Sequence, residues 1–153
     1  MREQDQGSYW WGYDLSRPQS YTKCIKQLVR IARLTPEYAE WQKESKKNAG
    51  DQCPICGVEY IYVRPETHHY PLTLFEVIES KLQDYIHANS IDLITPLQLI
   101  KEVMEDHLHD KIQFVVLCKT CHEKYHAQDP ETMRAVEQIY QEKIKANDGR
   151  KTE

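Results

Sequence analysis

Apolar positions recur with a helical period between Tyr21 and Arg33, where Ile25, Leu28, Val29 and Ala32 share one face. Lys23, Lys26, Arg30 and Arg33 form a basic stripe on another face of the same helix. Cys24 lies inside the apolar pattern and reads as a core residue. A second helix is predicted from Thr35, which can cap it, through Pro36 in its first turn to Gly50, which can close it. The run Val58–Val63, rich in β-branched and aromatic residues, predicts a strand. Two further helices are predicted, from Leu74 to about Ala88 and from the Thr95-Pro96 cap to about His109. The apolar run "IQFVVLC" predicts a short strand that ends on a cysteine. Helix is predicted again after Cys121, and a last helix from Asp129-Pro130 to about Ala146, followed by a frayed "NDGRKTE". The cluster "YWWGY" has no clear period and reads as an arm packing on the domain.

Composition bounds this picture. The 153 residues are 40% hydrophobic and 29% charged, as in a globular chain with a modest core. No run of about eighteen apolar residues occurs, so no membrane span or membrane partner is expected. The first residues lack the basic-then-apolar order of a signal peptide, and the expected location is cytoplasmic. The net charge of −4 hides an uneven distribution. Residues 1–50 carry nine Lys and Arg against six Asp and Glu, whereas residues 74–111 carry three against eight. The basic stripe suits a phosphate backbone or is simply a solvated face.

Cys53, Cys56, Cys118 and Cys121 form two C-x-x-C pairs, "CPIC" and "CKTC". In a reducing compartment two such pairs suit tetrahedral zinc, whereas a redox dithiol needs only one. Four thiolates leave no position for water, so this zinc is expected to be structural. It would close the long intervening segment into one loop and bring His68 and His69 near His122.

The ordered set "CPICG", "ETHHYPL" and "FVVLCKTCHEKYH" resembles the HNH endonucleases, built on the ββα-metal motif. The resemblance covers about residues 51–127. It implies an α+β fold: a small zinc-stapled ββα-metal core with a helical insert and flanking N- and C-terminal helices. The division expected is an arm and helices over 1–50, the core over 51–127 with its acidic insert at 74–111, and a C-terminal helix and tail over 128–153. It further implies metal-dependent cleavage of phosphodiester bonds in DNA, of the kind frequent in phages and mobile elements. His69 would be the general base, and His68 and His122 would hold a catalytic Mg²⁺ or Mn²⁺. Gln113 occupies the position of the family Asn, with the same amide one methylene further out. Glu66 could support a histidine, and His126, one helical turn after His122, could reach a phosphate or stabilise the site. His87, His107 and His109 read as surface or packing residues. Lys23, Lys26, Arg30 and Arg33 are the candidate nucleic-acid contacts, and the acidic insert is a candidate contact for a protein partner. The competing readings are a zinc-stapled module that binds nucleic acid or protein without cleaving, and a thiol redox protein.

Overall fold

In a computed structural model, which describes residues 9–151, ten regular elements follow the chain. They are β1 (Tyr9–Trp10), β2 (Tyr13–Asp14), α1 (Pro18–Arg33), α2 (Pro36–Lys47), β3 (Pro65–His69), α3 (Leu74–His87), α4 (Pro96–Leu108), β4 (Phe114–Cys118), α5 (Lys119–His126) and α6 (Pro130–Lys151), with a 3₁₀ turn at Ile91–Leu93. The fold is α+β, with helices dominant and two small antiparallel sheets, β1–β2 and β3–β4. The chain divides into two compact units, each discontinuous in sequence.

The first unit holds residues up to Trp41 together with Leu72–Ile112. Its core is the packing of α1, α3 and α4. Cys24, Ile25, Leu28 and Ala32 of α1 are fully buried, with Ile78 and Leu82 of α3 and Leu99 and Val103 of α4. The helical period of each segment supplies that apolar face. Helices read from sequence as an insert are therefore integral to a core. Two capping boxes fix their starts. Thr73 and Glu76 satisfy each other's backbone N–H groups, and Thr95 and Gln98 do the same. Lys81 of α3 pairs with Asp106 of α4 at 3.0 Å. The aromatic arm is a tight hairpin whose Trp11 and Gly12 take positive φ, the geometry of a two-residue primed turn. Trp10 is buried and donates its indole N–H to the carbonyl of Ile94 at 2.9 Å.

The second unit holds Gln42–Pro71 and the residues from Gln113 onward. Here β3 and β4 pair in the register Pro65–Cys118, Glu66–Leu117, Thr67–Val116, His68–Val115 and His69–Phe114. Helices α5 and α6 pack on them. The core is Cys53, Val115, Leu117, Cys118, Cys121 and Val136, with Ile55, Val58, Val63, Tyr125 and Ile139 around it.

Two expected elements differ. Val58–Val63 is not a strand. Its backbone serves the turn around the first cysteine pair: Cys53 N–H donates to Val58 O, Tyr60 N–H to Asp51 O and Tyr62 N–H to Glu59 O. Ile61 and Tyr62 point outward, 81% and 77% exposed. The strand is the polar stretch Pro65–His69, because the apolar β4 offers it a partner; pairing overrides propensity. The last helix also continues past Ala146 to Lys151, so Asn147–Lys151 does not fray from the helix; Thr152 and Glu153 of the expected frayed tail lie outside the described residues. Asp129 caps its start by accepting from the backbone N–H and hydroxyl of Thr132.

Candidate metal centre

The two C-x-x-C pairs come together from opposite ends of the second unit. Cys53 and Cys56 lie on the turn before β3. Gly57, with a φ of +76°, closes that turn by donating its N–H to Cys53 O.

 The positive φ is a conformation that glycine adopts without strain, and it lets the chain turn back directly behind the cysteine pair. Cys118 ends β4 and caps α5, its sulfur accepting from the backbone N–H of Cys121 at 3.3 Å. The backbone N–H of Cys118 in turn donates to Cys53 Sγ at 3.4 Å.

All four sulfurs lie within 4.8 Å of one another. Cys56 Sγ and Cys118 Sγ are 3.6 Å apart, too far for a disulfide at about 2.05 Å. That separation is close to the edge of about 3.8 Å expected between sulfurs around a tetrahedral ion with bonds of about 2.3 Å. Burial opposes the Cys53 thiolate, but N–H groups of Cys56, Cys118 and Ile55 outweigh it and hold the thiol down at about 7. Burial pushes Cys118 and Cys121 up. Four such groups close together would repel as thiolates, and a cation at their centre removes the repulsion. The four cysteines could therefore hold a metal ion such as zinc.

A second cluster lies between β3 and α5. Nitrogen atoms of His68, His122 and His126 also lie within 4.8 Å of one another. His68 Nδ1 is 3.1 Å from His122 Nε2, and His126 Nε2 is 2.9 Å from the same atom. His122 Nδ1 donates to Glu66 Oε2 at 2.6 Å. Glu66 and His68 alternate by two along β3 and so project from one face; His122 and His126 are one turn apart on α5. His68 is 6% exposed and packs against Tyr125, with ring centroids 4.4 Å apart. Burial, then the neighbouring imidazoles of His122 and His126, pushes His68 down to about 4. His126 is lowered by burial first and His122 second, with Glu66 opposing.

The other candidate residues fall elsewhere. His69 follows His68 on the strand and so projects from the opposite face. It is not among the converging imidazoles. Gln113 precedes β4, and its carbonyl accepts from Tyr70 N–H at 3.3 Å. Lys23, Lys26, Arg30 and Arg33 are all exposed on α1, in the other unit. His107 is buried in α4, while His87 and His109 are exposed. Sequence reasoning gave His126 only a supporting place; its four-residue spacing from His122 was the signal for a fuller one.

Fold and site together define a small α+β protein with a sulfur cluster suited to metal. The bacteriophage G278-like virion protein family matches residues 1–142, and the chain belongs to that family. No curated protein and no solved structure matches it. The match corrects the reading drawn from the HNH resemblance. It spans both units, whereas the HNH motifs covered only fragments of one, and it assigns a virion protein instead of an endonuclease. The assignments of His69 as general base, of Gln113 as its support and of a catalytic Mg²⁺ or Mn²⁺ at His68 and His122 fall with the enzyme. Short metal-knuckle motifs can arise wherever a small fold needs a staple, which is why they misled. Phage origin, also implied by the resemblance, stands. Among the described residues no helix is long and apolar enough to cross a membrane.

Proposed function

We propose that this chain is a non-catalytic component of the phage particle that works by binding its neighbours, and that zinc at Cys53, Cys56, Cys118 and Cys121 staples the unit containing β3, β4 and α5. The observation that carries the reading is the convergence of the four sulfurs. Four thiolates fill a tetrahedral ion and leave no position for water or substrate, so the ion serves the fold. Membership of a virion family supports the particle, instead of the host cytoplasm, as the working location.

The partner favoured is a neighbouring protein with a basic surface. Helices α3 and α4 and the turn between them expose Glu76, Asp84, Asp92 and Glu105, and beside them Leu93 and Leu97, 83% and 72% exposed. Charge to steer and apolar side chains to bury are the two parts of a protein interface. A second reading, contact with the packaged genome, is favoured by the exposure of Lys23, Lys26, Arg30 and Arg33 along α1.

The test is made on purified particles. Quantitative mass spectrometry should find the chain at a fixed copy number, and its absence would overturn the proposal. Carboxyl-to-amine cross-linking should join α3 or α4 to lysines of another virion protein. Cross-links confined to α1 and DNA would replace the protein partner with the genome.

A further inference from the structure

We infer that His68, His122 and His126 form a second metal site, one for a divalent ion of the later transition series such as Zn²⁺, Co²⁺ or Ni²⁺. The inference does not rest on membership of the particle. It starts from the orientation of His122. Its Nδ1 is engaged by Glu66 Oε2 at 2.6 Å, which turns Nε2 toward the other two imidazoles. That Nε2 stands 3.1 Å from His68 Nδ1 and 2.9 Å from His126 Nε2. Three nitrogen atoms thus crowd one point from two elements.

Ligand geometry explains the crowding. Around a tetrahedral ion with metal–nitrogen bonds of about 2.0–2.1 Å, neighbouring nitrogens stand about 3.3–3.4 Å apart. Both contacts to His122 are within a few tenths of an ångström of that edge. The carboxylate–imidazole pair is the usual outer support of a metal-binding histidine: it fixes the tautomer and raises the basicity of the nitrogen that binds. His68 is held between Val115's strand and the Tyr125 ring, so one ligand is rigid before any ion arrives. All three donors are imidazoles, and the nearby carboxylate is engaged by His122. That set suits borderline ions and not Mg²⁺, which demands oxygen. The ion would tie β3 to α5, with water in the remaining position on the exposed side of His126.

The experiment uses the full chain, stripped of metal under reducing conditions and titrated with Co²⁺ or Zn²⁺ alone. Two equivalents are expected per chain. One should show the thiolate-to-cobalt absorption of a sulfur site, and the other should lack it. His122→Ala and His126→Ala should each bind one equivalent with the thiolate absorption unchanged. His126 is exposed, so its loss leaves the core intact and the result readable. Glu66→Gln should weaken only the second equivalent, by about 10- to 100-fold, because it alters the support and not a ligand. Saturation of the wild-type chain at one equivalent overturns the inference, as does retention of two equivalents in either histidine variant.

Discussion

His107 is 1% exposed, wedged edge-on against Trp41 at 4.7 Å between ring centroids, with Tyr38 on another side. Its Nδ1–H donates to Val103 O at 2.7 Å. Burial lowers its affinity for a proton, and neither that hydrogen bond nor Asp106 restores it. The folded chain therefore binds this proton less readily than the unfolded chain. Stability should be full above the ordinary imidazole value of about 6.5 and fall as pH drops from there toward the lowered folded value. His107→Phe keeps an aromatic ring in the site and removes the titration. Melting curves between pH 5 and 8 should show a shallower acid-side loss in the variant; parallel curves would rule out His107 as a contributor. The sequence placed His107 only as surface or packing, because a histidine on an amphipathic helix can face either way until its neighbours are known.

At the scale of the element, helix ends were the most legible feature. Thr95-Pro96 announces α4, and the structure adds the reciprocal bond in which Thr95 N–H donates to Gln98 Oε1 at 3.0 Å. Thr95→Ala should cost about 1 kcal/mol and lower the melting temperature by roughly 2–4 °C. Adding Gln98→Ala should cost less than the sum of the two single changes, since both act on one box. Strict additivity in thermal melts would show that the two residues do not act together. Strands were less legible. Val58–Val63 has the composition of a strand and is a turn, while Pro65–His69 has the composition of a loop and pairs throughout its length. Helix bonds close within the segment and leave a local imprint; a strand is completed only by a partner far along the chain.

On the scale of the whole molecule, the second unit joins Gln42–Pro71 to the residues from Gln113 onward, and its core contains three of the four candidate zinc ligands, Cys53, Cys118 and Cys121. A unit whose core is built around thiols should depend on the ion that neutralises them. Removing metal with a chelator under reducing conditions should speed amide exchange at Val115, Val116 and Leu117 of β4 by more than about tenfold, while Leu28 of α1 and Val103 of α4 keep most of their protection. Cys118→Ser should give the same pattern without chelator. Equal loss of protection in both units would mean that they unfold together, and no loss in β4 would mean that the ion is dispensable.

The sequence by itself determined the helices, the caps at Thr35 and Thr95, the burial of Cys24 and the pairing of the cysteines into two knuckles, because each of these is written in spacings of a few residues. It also pointed, through a resemblance, to phages or mobile elements, while drawing the wrong activity from motifs that a structural staple shares with a nuclease. Tertiary structure decided the rest. It put Leu74–Leu108 into a core with α1, turned His69 away from His68, and brought His68 of β3 onto the nitrogen of His122. These depend on strand alternation and on packing between segments tens of residues apart. No local pattern encodes them, since the free energy that selects them is released only when the distant surfaces meet.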